Sequence, residues 1–514
     1  MSLQTPLENK LRIDVLLMGS VLIAVAAGIF TLYTQEMVVE EAEGRWIKQT
    51  IFFAIGLTAC LIIRKINYQV LEGYGIPFYA VAVISLIATM LIGTEIKGAK
   101  SWIKLGPIGF QTSELAKLAT IVLLAKWLEI KEREIEKIPS LLIPGLITAV
   151  PMMLVVIQPD FGSAVAFAPI LLIMLFVAGA DILHLGSVCV FFGLVVSIPL
   201  YIEYYKITLV DPLLDHLTDL GKSDLIPSVR ILKTDIWAFI DEGKIPASVA
   251  GNDREYLNNV LKNESLSEAL REAASTVHTE AGGLLLRILE NEVLMITLGA
   301  IFSVTALVFF ILRITQGPTL SGLRKLYIPF GVLGISLLAA MAIHLTISFR
   351  YHQVVRITAF INPEKFPRDL AYQIRASKAA IGSGQLTGRG FFQGDMTIGR
   401  RPLVPEASTD FIFTSWSERT GFLGAVFLLM ILIIIPLRTL QISFESRDRF
   451  GALLASGISA MFFYHIAFNC GIALGLLPVT GLPLSFMSYG GSHLITCMLA
   501  VGIILSIYRR RHAN

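Results

Sequence analysis

The carboxylate of Asp410 lies at a predicted membrane boundary, where it could act in acid–base chemistry. Asp410 lies in the run 405–413, between a polar loop rich in glycine and arginine and a long apolar stretch. An acid at the edge of a membrane segment is costly to desolvate and so indicates a functional site, although aspartate before an apolar run also serves as a helix N-cap. A carboxylate can take the proton of an attacking hydroxyl group, so Asp410 is predicted to be a general base.

The loop before this acid, residues 381–394, combines glycines with basic side chains. Glycine allows close approach of the backbone, and backbone amides with nearby cations suit a large anion. Candidates for neutralising an anionic leaving group are Lys117, Lys378, Arg389 and Arg401. The same cations could instead meet lipid headgroups.

The composition is that of an integral membrane protein. Hydrophobic residues make up 54% of the 514 residues and charged residues only 16%, whereas soluble proteins carry about 25% charge. A net charge of +3 gives no indication of nucleic-acid binding. The four cysteines lie in apolar segments and the eight histidines show no metal-ligand spacing, so neither a disulfide framework nor a local metal motif is predicted.

Apolar segments long enough to cross a bilayer, about 20 residues each, recur twelve times. Lysine and arginine in the short loops place both termini in the cytoplasm and the loop of Asp410 outside. Residues 206–290 are richer in charge, and a capping box at 265–268 predicts a helical soluble domain there, on the outer side. The predicted spans are near 14–34, 47–64, 74–93, 114–130, 140–157, 163–180, 186–205, 292–313, 327–348, 420–437, 450–470 and 491–508.

Six motifs, in order along the chain, resemble the SEDS (shape, elongation, division, sporulation) family of membrane proteins, also called FtsW/RodA/SpoVE. Residues 391–394, Phe-Phe-Gln-Gly, favour the RodA branch over the FtsW branch. The motifs occupy residues 98–103, 111–117, 158–162, 379–384, 409–413, and 475–481 together with 488–492.

The resemblance implies an all-α polytopic membrane protein with a helical bundle of about ten core transmembrane helices. Segment 181–325 has no counterpart in the common family pattern, so we expect an inserted helix pair carrying the small extracytoplasmic domain. The predicted organisation is an N-terminal half of the core at 10–185, an inserted pair at 186–325 with a soluble domain at about 206–290, and a C-terminal half at 326–510 with a catalytic outer loop at about 349–419.

The resemblance also implies an activity: a peptidoglycan glycosyltransferase that polymerises lipid II, with inversion, on the outer face of the cytoplasmic membrane during cell elongation. The diphosphate leaving group suits a divalent cation such as Mg²⁺ or Mn²⁺, and no organic cofactor is implied. Expected partners are lipid II, a class B penicillin-binding transpeptidase and membrane proteins of the elongation complex, with no nucleic acid. The alternatives are a lipid II flippase or transporter, a scaffold, and an FtsW-like polymerase specific to division.

Family motifs assign roles to further residues. Asp410 matches the essential catalytic acid, and Glu114 and Lys117 match residues that line the central cavity, although their spacing also fits a structural ion pair. Ser408 stands where the family usually has histidine, and Arg419 replaces an acid. Other motif residues are substrate-binding candidates, and each has a simpler alternative. Trp102 could be an aromatic residue at the membrane interface, and Asp160 could be a helix cap. Ser488, Gly490 and Gly491 could only break and cap a helix.

Overall fold

The computed structural model describes most of the chain. The described residues are 13–37, 44–96, 99–105, 108–132, 139–158, 160–232, 251–281, 291–315, 327–346, 370–398 and 403–511, with a few isolated positions between them. They divide into two compact units, one formed by Met1–Leu185 and Ala359–Asn514 and the other by Gly186–Thr358. The second unit begins where the inserted segment was predicted to begin.

The first unit contains most of the long helices. Its centre is formed by α17 (Arg449–Ala473) and α18 (Gly491–Arg510), which are buried along most of their length. α18 packs along α2 (Arg45–Lys65). α17 packs against α4 (Thr112–Ile130), α7 (Phe167–Ala178) and α16 (Ile412–Phe444). The helices of this unit are α1 (Val15–Glu36), α2 (Arg45–Lys65), α3 (Val70–Ile92), α4 (Thr112–Ile130), α5 (Pro139–Ile157), α6 (Phe161–Val165), α7 (Phe167–Ala178), α15 (Leu370–Ser383), α16 (Ile412–Phe444), α17 (Arg449–Ala473) and α18 (Gly491–Arg510).

Local signals set several helix ends. The side chain of Asp14 accepts a hydrogen bond from the Leu17 amide at 2.8 Å and begins α1. Asp448 does the same for α17 through the Gly451 amide at 2.7 Å. α16 is broken at Gly421, whose φ of 66° lies in the left-handed region that favours glycine. The predicted span at 420–437 is therefore the part of this helix beyond the break.

A three-stranded antiparallel sheet precedes α4, between the predicted spans near 74–93 and 114–130. Its strands are β1 (Thr94–Ile96), β2 (Ala99–Leu105) and β3 (Ile108–Gln111). Trp102 on β2 pairs with Gln111, the last residue of β3. The sheet therefore leads directly into the first turn of α4 and helps to place it.

The second unit is helical and includes residues 206–290, where the sequence predicts a soluble domain. Buried side chains between Leu209 and Val277, aliphatic apart from Phe239, form a hydrophobic core there. Asn263, rather than Ser265, caps the last helix of this predicted domain, because its side chain accepts from the Leu266 amide at 3.4 Å. The helices of the unit are α8 (Ile182–Thr208), which starts just before it, α9 (Val210–Asp219), α10 (Ile226–Leu232), α11 (Gly251–Lys262), α12 (Glu264–Ala281), α13 (Glu292–Thr315) and α14 (Tyr327–Thr346).

Eleven helices of the described chain are long and apolar enough to cross a membrane, so the prediction of a multi-pass, all-helical membrane protein is confirmed. The remaining predicted span, near 114–130, corresponds to α4. This helix has 19 residues but is not one of the eleven. α4 carries four charged side chains, and two of them, Glu114 and Lys117, are buried inside the protein. Its polarity therefore reflects contacts with other helices.

Candidate functional site

Asp410 is half-buried at the start of α16, and its main chain is held by two other parts of the fold. The N-cap residue of α16 is Phe411, so Asp410 does not cap this helix. Asn469 of α17 donates from its side chain to the Asp410 carbonyl at 2.9 Å. Ser488 donates to the carbonyl of Thr409 at 2.6 Å. These bonds fix the backbone that carries the carboxylate.

The segment between α17 and α18 approaches this carboxylate. A Cβ atom built on Gly481 would lie 3.8 Å from Oδ2 of Asp410, and the φ of Gly481 is +76°. Asn469 also donates to the Leu482 carbonyl at 2.7 Å. One buried amide therefore ties the Asp410 backbone to the segment next to its carboxylate.

The chain around Asp410 is also held by α1 and α2. Arg45, the first residue of α2, donates to the Ser408 hydroxyl at 2.9 Å. Gln35 near the end of α1 donates to the Ala407 carbonyl at 3.1 Å and to Ser415 at 2.8 Å. Ser408, which stands where the family pattern has histidine, is thus a contact of a guanidinium group in this chain.

Two glycines of the loop before Asp410, Gly384 and Gly388, pack against protein backbone. The amides of Arg389 and Gly390 donate to the carbonyls of Glu418 and Arg419, each at 3.1 Å, where α16 breaks. A Cβ on Gly388, whose φ is +86°, would lie 2.0 Å from the Arg419 carbonyl oxygen. The sequence analysis assigned this glycine-rich stretch to the approach of an anion, whereas here it docks on the broken helix.

Two charged residues beside the break hold neighbouring chain segments. Glu418 is fully buried and accepts from the amides of Met396 and Thr397, each at 3.0 Å, and from the Thr397 hydroxyl at 2.5 Å. Arg419 is also buried and donates to Thr31 at 2.9 Å, to Thr34 and to Ser415 at 3.0 Å. These contacts indicate that both side chains have a structural role.

Glu114 and Lys117, predicted to share one face of a helix, form a buried ion pair with 2.8 Å between Oε1 and Nζ. Lys117 Nζ is also 2.8 Å from Nε2 of His465 on α17. The other carboxylate oxygen of Glu114 lies 3.0 Å from Nδ1 of His493 on α18. The pair is therefore the centre of a polar cluster between three helices, and it does not face lipid.

Asp160 caps α6 by accepting from the Ser163 amide at 3.2 Å, as its position in the sequence suggested. Gln111 donates to its other oxygen at 2.8 Å, which connects it to the sheet that carries Trp102. Loss of water around the carboxyl raises the pKa of Asp160, and the bonds from Ser163 and Gln111 partly offset this rise. Trp102 itself is half-buried.

The basic residues predicted to contact an anionic group differ in their surroundings. Lys378 on α15 is exposed, and its Nζ would lie 2.7 Å from a Cβ built on Gly475. Arg389 is paired with Asp395 at 2.8 Å, and Arg401 lies outside the described residues. The 488–491 segment packs on α2: Gly490 donates to Gln49 at 3.2 Å, and a Cβ on Gly491 would touch the Phe52 ring at 2.7 Å.

The sequence analysis missed the two histidines. Glu114, His465 and His493 form a group that could hold a metal ion, because one ligand atom of each lies within 4.8 Å of the others. The sequence shows no metal-ligand spacing among the histidines, and this statement concerns only positions that are close along the chain. The three residues are far apart in the sequence, so no local spacing could reveal them.

Comparison with known families and proteins gives a consistent result over the whole chain. The model of the FtsW/RodA/SpoVE cell cycle protein family matches residues 13–226 and 256–513. Only 227–255 falls between the matched ranges, so the expectation that all of 181–325 lacks a family counterpart was wrong.

Two curated relatives span most of the chain. The peptidoglycan glycosyltransferase RodA of Treponema pallidum is 29% identical over 505 residues, covering 97% of this chain and 98% of that protein. The peptidoglycan glycosyltransferase MrdB of Escherichia coli K12 is 24% identical, covering 89% and 84%.

Solved structures share the fold. A chain of a peptidoglycan synthase complex, studied for structural coordination of polymerization and crosslinking, gives a TM-score of 0.57 at 21% identity, with 98% of this chain and 100% of that chain covered. The rod shape determining protein RodA of Thermus thermophilus gives 0.51 at 20% identity with the same coverage.

Proposed function

Because the chain belongs to the FtsW/RodA/SpoVE family of cell cycle proteins, we propose that it is a peptidoglycan glycosyltransferase that polymerises lipid II on the outer face of the cytoplasmic membrane during cell elongation. The observation that carries the proposal is the setting of Asp410. Its half-buried carboxylate lies beside Gly481 on a backbone fixed by Asn469 and Ser488. A carboxylate held in this way is positioned to act on a bound substrate.

In the proposed reaction, Asp410 accepts the proton of the acceptor sugar hydroxyl as that oxygen attacks the anomeric carbon of the donor. The bond from that carbon to the diphosphate breaks, and undecaprenyl diphosphate leaves with the electron pair. A single displacement converts the α-linked donor into a β-linked product. Because the leaving group is already anionic, cations have to stabilise its growing charge.

Of the predicted cations that the structure describes, Lys378 is the one we propose for the diphosphate. It is exposed, and within the described residues no ion pair is formed by its ammonium group. Arg389 would first have to leave Asp395. A divalent cation such as Mg²⁺ or Mn²⁺ would supply further positive charge at the diphosphate, since oxygen ligands suit these hard ions.

Glu114 and Lys117 support the substrate from within the protein. Burying an ion pair costs solvation free energy, so a pair held between three helices is expected to have a role beyond stability. We propose that it borders the substrate cavity, together with Asp160, Trp102 and the 488–491 segment.

Partners and orientation follow from the same proposal. The new strands need crosslinking by a class B penicillin-binding transpeptidase, and membrane proteins of the elongation complex position the pair of enzymes. Both chain termini lie in the cytoplasm, and the helical domain within 206–290 lies outside. The domain limits at 185/186 and 325/326 remain part of this proposal.

Purified protein in detergent, given lipid II and Mg²⁺ or Mn²⁺, tests the activity directly. We expect glycan strands to form without any bilayer, with or without the transpeptidase. Protein that is monodisperse and folded but makes no glycan under either condition would contradict the proposal, and a flippase would behave in that way.

A further inference from the structure

Three buried side chains of the first unit bring together atoms that can act as metal ligands. Glu114 begins α4, His465 lies on α17 and His493 lies on α18, and all three are at most 3% exposed. A carboxylate oxygen and two imidazole nitrogens lie within 4.8 Å of one another. Ligand atoms at about 2.0–2.2 Å from a small metal ion are separated by about 3–4 Å, so small shifts of these side chains would bring the three atoms to ligand distance.

The outer nitrogens of both imidazoles have partners that direct the inner nitrogens toward the cluster. Nδ1 of His465 is 3.2 Å from the Pro483 carbonyl. A carbonyl only accepts, so Nδ1 carries the hydrogen and Nε2 presents its lone pair inward. Nε2 of His493 faces the Cys497 sulfur at 3.6 Å, which leaves Nδ1 toward Glu114. Metal-binding histidines are typically oriented by such outer partners.

A cation and a hydrogen already join the atoms of the cluster. The Lys117 ammonium group bridges Glu114 and His465, at 2.8 Å from each. Oε2 of Glu114 and Nδ1 of His493 are 3.0 Å apart, and two lone-pair atoms at that distance need a proton or a cation between them. One ammonium group and one shared proton therefore hold the three acceptors together.

We propose that Glu114, His465 and His493 form an exchange site for a transition-metal dication of the zinc class, with Lys117 as the resident cation when the metal is absent. The Lys117 ammonium group lies 2.8 Å from Glu114 Oε1 and from His465 Nε2, so the metal ion would replace it as the cation between these two ligands. No redox step occurs.

The donor set separates this site from the ion proposed at the diphosphate. Two imidazoles and one carboxylate are ligands that zinc prefers, whereas magnesium takes oxygen ligands and waters. Occupancy would take Glu114 away from Lys117. If the proposed polymerase function holds, zinc therefore antagonises the reaction.

Binding is measured on the full chain in detergent after removal of metals by a chelator. Titration with Co²⁺ should give the visible absorption of a low-symmetry cobalt site at one ion per chain, and Zn²⁺ should displace it. His465→Gln and His493→Ser should each weaken binding by about 10-fold or more, since each removes a ligand. His216→Gln, in the helical domain of the other unit, is the matched control and should bind as the parent does.

Lys117→Met gives an independent test, because it removes the resident cation and should tighten Co²⁺ binding. The proposal is overturned if the parent shows no cobalt site, if both histidine variants bind as tightly as the parent, or if Lys117→Met does not bind more tightly. Every variant is compared by its melting temperature and monodispersity.

Polymerisation is then measured with and without Zn²⁺ at a concentration that saturates the site. With Mg²⁺ present throughout, slower glycan formation is expected from the parent, with a smaller effect of Zn²⁺ on His493→Ser relative to its own zinc-free rate. A parent rate unaffected by Zn²⁺ would refute the antagonism. Absence of glycan from zinc-free protein supplied with Mg²⁺ would instead contradict the proposed function, and the cobalt readout needs no substrate.

Discussion

Removing either partner of the Glu114–Lys117 pair should destabilise the protein far more than removing both. Both side chains are at most 1% exposed, with 2.8 Å between the charged atoms. At that distance, and at an effective dielectric constant of about 20, the attraction is about 6 kcal/mol. Because desolvation of two ions opposes this attraction, the net contribution of the pair is much smaller.

We expect Glu114→Gln and Lys117→Met each to lower the free energy of unfolding by about 3–5 kcal/mol, since each leaves an uncompensated buried charge. The double variant should lie within about 1–4 kcal/mol of the parent, because replacing both charges removes the desolvation cost together with the attraction. The coupling free energy should therefore amount to several kcal/mol.

The assay is denaturant or thermal unfolding in detergent, followed through the helical signal, for the parent, both single variants and the double variant. A double-variant loss equal to the sum of the single losses would refute the reasoning, because it would show that the two side chains do not interact. Polymerisation by the double variant is measured separately at a temperature where it is folded. A stable double variant that makes no glycan would assign the pair a role in the substrate cavity.

Three smaller predictions concern other parts of the site. Left-handed backbone strain costs a residue with a Cβ about 1–2 kcal/mol. Gly388→Ala should destabilise the protein by much more than this, because its Cβ would meet a helix carbonyl at 2.0 Å. Gly390→Ala, at φ +98° with no atom within 4 Å of its Cβ, should cost only the strain, and melting temperatures of the two variants would show the difference. Asn469→Asp should reduce the rate of polymerisation more than it reduces binding of lipid II, because a carboxylate cannot donate to the Asp410 carbonyl; equal rates would remove Asn469 as a positioning residue. Asp160→Ala should lower stability by about 0.5–2 kcal/mol through loss of a cap, and Asp160→Asn by less, since the asparagine side chain still accepts from the Ser163 amide; an equal loss would contradict the capping role.

Local patterns in the sequence predicted the helices and the i,i+3 relation of Glu114 to Lys117, because both depend on neighbours along the chain. Contacts between distant elements could not be predicted in this way. His493 and His465 reach Glu114 only when α17 and α18 pack against α4. Arg45 likewise reaches Ser408 across 363 positions. Such pairs depend on tertiary packing, which no spacing rule encodes.

The glycine-rich loop shows a different limit. Its composition indicates that some backbone must approach closely, but not whether the neighbour is a ligand or another helix. The break of α16 at Gly421 supplies that neighbour. In the same way, Ser265 and Asn263 are both good caps, and the structure uses Asn263 because α12 starts at Glu264. Alternatives of equal local quality are decided by the position of the next element.

The measurement that tests the central claim most directly is the rate of lipid II polymerisation by Asp410→Asn beside the parent, at equal amounts of folded protein. Asparagine keeps the size of the side chain but cannot take a proton from the acceptor hydroxyl. The rate should therefore fall by about 10²–10⁴-fold, the range for a positioned general base, while lipid II binding stays close to that of the parent. A variant that polymerises at the parent rate would contradict the assignment of Asp410 and the mechanism built on it.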